Sequence, residues 1–132
     1  MKVAELMHKD VRTVDADATV SDAVLALADG HFSGVPVVDA HHRVVGVVST
    51  TDILNALAEA GGADEREQVF ETAARDIMTP HPVMLSPDAD VLEAAREMLY
   101  LEVHRVFVER DGRLVGVISQ TDIVGAVATA KL

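Results

Sequence analysis

An eight-residue phrase occurs twice in this chain of 132 residues. Gly46-Val47-Val48-Ser49-Thr50-Thr51-Asp52-Ile53 returns 70 positions later as Gly116-Val117-Ile118-Ser119-Gln120-Thr121-Asp122-Ile123, with only Val48/Ile118 and Thr50/Gln120 changed. Val and Ile favour a pleated strand, and Ser, Thr and Asp favour a helix start. Each copy therefore reads as a strand running into a polar turn that opens a helix. The unpaired N–H groups and the dipole at such a turn suit a polar ligand, an anion such as phosphate above all.

Working outward from the phrase, each half spells the same series. Val3 to His8 forms a short helical turn, and Val11-Arg12-Thr13-Val14 an extended piece. Thr19 with Asp22 resembles a capping box, followed by apolar residues at helical spacing to about Asp29, where Gly30 stops the helix. Phe32-Ser33-Gly34 is a loop. Val35-Pro36-Val37-Val38 is a strand whose Pro marks its first residues or an edge. Asp39 to Arg43 is a polar turn, Val44 to Val48 pairs back as a hairpin, and Thr51 to about Glu59 is a closing helix. After Gly61-Gly62 and a helical stretch from Glu65 to Ala74, the series begins again. Asp76-Ile77-Met78 stands for Glu5-Leu6-Met7, and Val83-Met84-Leu85 is the extended piece. Asp90 with Glu93 is a second capping box. Val106 to Val108 and Leu114 to Ile118 form a second hairpin, and Asp122 to about Ala130 is a final helix. The offset is 71 at Met7/Met78 and 70 at the repeated phrase, which places the one-residue difference between the first helix and the hairpin.

The expected fold class is α/β: two repeats, each roughly β-α-β-β-α, related by an approximate internal twofold and packed into one module. Residues 1–60 are repeat 1, 61–73 a linker with a helix, and 74–132 repeat 2. A repeat of this size exposes an apolar sheet face that it cannot cover alone.

Composition narrows the function. Apolar residues make up 49%, which opposes general disorder, but there is no Trp, one Tyr and three Phe, too few aromatics for a base-stacking surface. A net charge of −11 opposes general affinity for nucleic acid or anionic membranes. The absence of cysteine excludes disulfides and thiolate metal sites. Neither a signal peptide nor a run approaching about 18 apolar residues is present, so no membrane insertion and a cytoplasmic location are expected. The histidines (His8, His31, His41, His42, His81) lack the helical pairing of a zinc site and read as surface residues. No activated nucleophile stands out, so neither a catalytic residue, a catalytic cofactor nor a metal is expected, and the chain reads as no enzyme.

The order and duplication of these motifs resemble the tandem cystathionine-beta-synthase (CBS) domain pair, or Bateman module. The resemblance rests on the two openings at Met7 and Met78, on Gly34-Val35-Pro36-Val37-Val38-Asp39 and above all on the repeated phrase; it runs from about Val3 to Val127. It implies a regulatory, sensing module that binds an adenine nucleotide (AMP, ADP or ATP) in a cleft between the two repeats. S-adenosylmethionine or a dinucleotide is the alternative ligand. The family places the ribose hydroxyls on Asp52 and Asp122, and ribose or phosphate on Ser49, Thr50, Thr51, Ser119 and Thr121. It places the base between Thr13 and Val14 with Val35 and Pro36, and between Val83 and Met84 with Arg105 and Val106. Aligned on the glycines, His104-Arg105 stands opposite Gly34-Val35, and the pair resembles a phosphate anchor. Each residue also has a plainer reading: Asp52 and Asp122 as early-helix carboxylates, Ser49 and Ser119 as caps, the apolar residues as core, Arg105 as an ion-pair partner of Glu102. The resemblance further implies a homodimer through the Ala-rich helices Ile53–Ala60 and Ile123–Ala130, and an effector protein in trans. A ligand-independent dimerisation scaffold is the contrasting function, and the acidic Asp64–Glu71 segment is either linker helix or partner surface.

Overall fold

The computed structural model describes residues 1–30 and 33–129. The loop expected at His31 and Phe32, and the end of the last helix at Ala130, lie outside the described residues. The elements run α1 (Val3–Leu6), β1 (Val14–Asp15), α2 (Val20–Gly30), β2 (Gly34–Val38), β3 (Val44–Ser49), α3 (Thr50–Glu59), α4 (Ala63–Glu71), α5 (Ala74–Ile77), β4 (Thr79–Pro80), β5 (Met84–Leu85), α6 (Val91–Leu101), β6 (Arg105–Arg110), β7 (Arg113–Ser119) and α7 (Gln120–Ala128). The fold is mixed α/β with two sheets, one ordered β1-β2-β3-β4 and the other β5-β6-β7.

Two compact units result, and they cut across the sequence repeats. One contains Arg12–Pro82; the other combines Met1–Val11 with Val83–Leu132. The opening segment of each repeat is thus held by the strands of the other repeat. In the unit of residues 12–82, Val20 N–H donates to the Thr72 carbonyl at 2.8 Å and Ala74 N–H to the Ala18 carbonyl at 2.7 Å. In the second unit Val91 N–H donates to the Met1 carbonyl at 2.9 Å and Val3 N–H to the Ala89 carbonyl at 2.8 Å. Ala74 and Val3 are both fully buried, each in the core of the unit it has joined. The expectation of one helix from Glu65 to Ala74 is corrected accordingly. The chain breaks at Thr72-Ala73 because those residues bond across to the start of α2.

The unit of residues 12–82 is built on β2, whose Val35, Val37 and Val38 are buried. β3 pairs antiparallel with β2, and β1 pairs parallel with it. Pro36 is the third residue of this interior strand, not at an edge or start. Thr50 N–H donates to the Ser33 carbonyl, so odd-numbered residues of β2 face β3 and Pro36 turns toward the β1 side. There β1 begins only at the level of Val37, so the missing N–H of Pro36 breaks no ladder bond. Ala23, Ala26 and Leu27 of α2 close the core. Thr19 and Asp22 form the expected capping box, with N–H to side-chain oxygen distances of 3.2 and 3.3 Å.

The second unit repeats the plan with Val106, Val108 and Ile118 of its hairpin packed against Val91, Ala94 and Met98 of α6. Its turn is the tight one. Asp111 and Gly112 have φ of 55° and 81° between the paired Arg110 and Arg113, a two-residue turn that needs left-handed backbone at both positions. Asp90 caps α6 by accepting from Leu92 N–H at 2.8 Å. The reciprocal capping box expected with Glu93 is corrected: Glu93 N–H goes to the Asp90 carbonyl instead.

The strand register also corrects the alignment of the two halves. Gly34 pairs with Ser49, and Arg105 pairs with Ser119. Arg105 therefore corresponds to Gly34 and His104 to Ser33, one residue away from the alignment on the glycines. The offset stays at 71 through β6, and the one-residue difference falls in the hairpin turn, where Asp39–Arg43 is longer than its counterpart by one.

Candidate functional site

Each copy of the repeated phrase places a carboxylate at the first turn of a helix by the same local chemistry. Ser49 ends β3 in extended conformation and caps α3, accepting from Asp52 N–H at 3.1 Å, while Ser49 N–H donates to Asp52 Oδ2 at 2.8 Å. Ser119 and Asp122 repeat the box at the start of α7 with distances of 3.1 and 2.8 Å. Ser49, Asp52, Ser119 and Asp122 are half-buried, while Thr50, Thr51 and Thr121 stand exposed on the first helical turns. The capping reading of the serines is thus observed, and it leaves one oxygen of each carboxylate facing away from its own helix.

That second oxygen meets a residue from the opening segment of the other repeat. Thr79 Oγ1 donates to Asp52 Oδ1 at 3.0 Å. His8 Nε2 lies 2.7 Å from Asp122 Oδ1. The backbone delivers both partners: Thr79 pairs with Val47 in β4, and His8 forms an antiparallel bridge with Val117. His8, read from the sequence as a surface histidine, is exposed but reaches the carboxylate. Thr79 carries no motif of its own. The signal was present in the Met7/Met78 offset, which makes His8 and Thr79 counterparts.

The other candidates lie in or beside the sheet of each unit. Thr13 is half-buried beside β1, and Val14, Val35 and Pro36 are buried in the sheet. In the second unit Val83 is exposed, Met84 half-buried and Val106 buried. The corrected register makes Met84 the counterpart of Thr13, Leu85 of Val14, Val106 of Val35 and Phe107 of Pro36. Leu85 and Phe107 are therefore the positions the one-residue misalignment passed over. Arg105 opens β6 opposite Ser119 and is half-buried; His104 is exposed. The Gln120 N–H donates to the His104 carbonyl at 2.9 Å, which ties the His104-Arg105 approach to the start of α7. A shallow groove of about 370 Å³ between α3 and α4, lined by Glu59, Glu65 and Gln68 among others, contains none of these residues.

Among the described residues no group of three or more His, Cys, Asp or Glu is placed to hold a metal ion, and no helix is long and apolar enough to cross a membrane. What the two turns offer is hydrogen bonding: a half-buried carboxylate, hydroxyls and helix-start N–H groups beside an apolar sheet.

A family model for the CBS domain matches residues 3–59 and 74–129. The chain is similar to the chloroplastic CBS domain-containing protein CBSX1 of Arabidopsis thaliana, 29% identical over 98% of this chain and 65% of that protein. It is also similar to the uncharacterized protein MJ0188 of Methanocaldococcus jannaschii, 32% identical over 94% of this chain and 43% of that one. The chain thus spans about two-fifths to two-thirds of the length of these curated relatives. Among solved structures, CBSX2 in complex with AMP superposes with a TM-score of 0.82 at 28% identity, covering 99% of this chain and 98% of that one. A putative acetoin utilization protein (AcuB) from Vibrio cholerae gives 0.85 at 26% identity, covering 98% and 92%.

Proposed function

The chain belongs to the CBS-domain family, and from that premise we propose that it is a regulatory module whose ligand is an adenine nucleotide, AMP, ADP or ATP. The observation that carries the reading is the state of the two carboxylates. Asp52 and Asp122 each spend one oxygen on their own cap and offer the other to a side-chain donor, Thr79 or His8, that a ligand can replace. A carboxylate oxygen accepting from a protein donor can accept equally from a ribose hydroxyl. The exposed Thr50, Thr51 and Thr121 and the helix N–H groups suit phosphate oxygens, and Arg105 with His104 adds cationic donors on one side. The flat base lies against the sheet residues Thr13, Val14, Val35 and Pro36, or against their register counterparts Met84, Leu85, Val106 and Phe107. The AMP complex of CBSX2, similar to this chain over nearly its whole length, supports the choice of ligand class.

The module acts, in this reading, as a homodimer that reports occupancy to an effector in trans, and it catalyses no reaction. Leu99 and Tyr100 of α6 are 75% and 85% exposed, and Leu54 of α3 with Val124 and Val127 of α7 are exposed as well. Such apolar faces favour self-association. Ligand binding shifts the population between arrangements by no more than its differential affinity for them.

The test is calorimetric titration with AMP, ADP, ATP, NAD and S-adenosylmethionine, on wild type and on Asp52→Ala, Asp122→Ala and Arg105→Ala, each checked for folding. Saturable nucleotide binding that an Asp change abolishes and Arg105→Ala weakens is the expected result. Binding of S-adenosylmethionine alone overturns the phosphate part of the reading. Silence across the panel from a folded dimer leaves the scaffold.

A further inference from the structure

The two carboxylates are built alike but are held by different chemistry. We propose that His8 makes ligand capture at Asp122 proton-linked, so that this site weakens on acidification while the Asp52 site does not. The inference rests on reading these carboxylates as ribose sites.

The backbone fixes the imidazole where it stands. His8 N–H donates to the Val117 carbonyl at 2.8 Å and Val117 N–H to the His8 carbonyl at 2.9 Å. From that anchor His8 Nε2 reaches Asp122 Oδ1 at 2.7 Å, the His8 side chain being 70% exposed and that of Asp122 15%. Asp122 Oδ2 is already committed to Ser119 N–H. Oδ1 is therefore the oxygen that a ribose hydroxyl must win, and His8 holds it. In the other unit the same oxygen of Asp52 is held by the Thr79 hydroxyl, whose charge does not change with pH.

An imidazole changes charge between about pH 5 and 8, and the charged donor binds a carboxylate more strongly than the neutral one. In acid the His8 imidazolium grips Asp122 and a ribose hydroxyl must displace a charged donor, whereas at higher pH it displaces only a neutral one. Affinity at this site therefore rises with pH. Among the other charged and titratable groups near this contact, β6 brings His104 and Arg105 to the start of α7, where Arg105 pairs in register with Ser119 and Gln120 N–H donates to the His104 carbonyl. From α7 the only charged group among the described residues is Asp122 itself. From β7 it is Arg113, at the far end by the hairpin turn. Across the 86–90 turn, Asp88 pairs with Lys2 and Arg110, and Asp90 caps α6. On its own segment Glu5 is bonded to Lys2 N–H, and Lys9 and Asp10 flank it in sequence.

Adenosine is the probe, because its base and sugar keep their charge between pH 5.5 and 8. In an Asp52→Ala background, which leaves the Asp122 site to report, adenosine should bind about tenfold more weakly at pH 5.5 than at pH 8. His8→Thr, which installs the residue of the other unit, should remove that dependence. Thr79→His in an Asp122→Ala background should confer it on the Asp52 site. Equal affinity at both pH values, or a dependence that survives His8→Thr, overturns this inference and leaves the nucleotide reading intact. Failure of adenosine and AMP to bind wild type at any pH overturns both. Should His8→Thr fail to fold, the ring titration of His8 in the ligand-free protein decides. Its midpoint must fall in Asp122→Asn, and an unmoved midpoint rejects the link.

Discussion

The thioether of Met7 lies against the backbone of Gly116, so closely that a Cβ there would sit 2.7 Å from Met7 Sδ and 2.9 Å from the His8 carbonyl oxygen. Gly46 is covered in the same way by the opening segment of the other repeat, where a Cβ would meet Met78 Cγ at 2.8 Å and the Thr79 carbonyl at 2.9 Å. The glycine that opens each repeated phrase is thus a landing site for a crossing backbone. The same crossing brings His8 and Thr79 to the carboxylates, so sheet packing and site chemistry have one structural cause.

Gly116→Ala should therefore destabilise the protein, because the added methyl meets a backbone carbonyl that cannot rotate away. Overpacking of this kind costs about 1–3 kcal/mol. Urea unfolding monitored by circular dichroism reads it, and Gly46→Ala should behave alike. A change within about 0.5 kcal/mol, the range of an ordinary surface substitution, would falsify the close approach.

Ser49→Ala and Ser119→Ala remove the hydroxyl that accepts from the N–H of Asp52 or Asp122. Loss of such a cap costs about 0.5–2 kcal/mol, and Ser→Asp, which keeps an acceptor, should recover most of it. The measurement is again the denaturation midpoint. A deficit that Asp does not recover would mean that the hydroxyl matters for something other than capping.

Local chemistry was legible in the sequence and partner choice was not. The Thr19–Asp22 box and the Ser49–Asp52 and Ser119–Asp122 turns can be read directly, because their partners lie three residues apart and need no tertiary information. Thr79-Pro80 could not be read as a strand. Two residues show no period, and their pairing with β3 depends on where a distant segment lands. Nor could the sequence say which repeat receives the opening segments, since both copies offer the same glycine and the same strand. The misplacement of Arg105 has a similar origin: matching Gly46 with Gly116, which lie beyond the hairpin turn, cannot locate a one-residue difference that the strand register places in that turn.

Leu99→Glu should turn the proposed homodimer into a monomer. Leu99 and Leu92 stand one above the other on the exposed face of α6, a spacing that places both on one helical stripe. A charge there opposes burial against a second copy but touches little within its own unit, so stability at high dilution should change by less than about 0.5 kcal/mol. Light scattering behind size exclusion reads the mass. A wild-type protein already monomeric at micromolar concentration, or a dimer untouched by the substitution, rejects this face as the interface.

The turn at Asp39 supplies a pH dependence that belongs to the fold and not to the ligand. Asp39 Oδ1 accepts from Arg43 N–H at 3.0 Å and His41 N–H at 2.8 Å, in a turn where His42 has a φ of 60°. The Arg43 N–H is the main reason the carboxyl titrates below its ordinary value of 3.8; burial opposes the shift, and His41 N–H reinforces it. The folded value lies below the unfolded one, so the stabilisation is fully present above about pH 3.8 and is lost as pH falls through the folded value. The amide resonances of His41 and Arg43 should therefore hold steady from neutral pH down to that point and move only in stronger acid. Asp39→Asn keeps an acceptor oxygen and should abolish the step. A midpoint at or above the ordinary carboxyl value would show that the two N–H groups do not hold the carboxylate in solution.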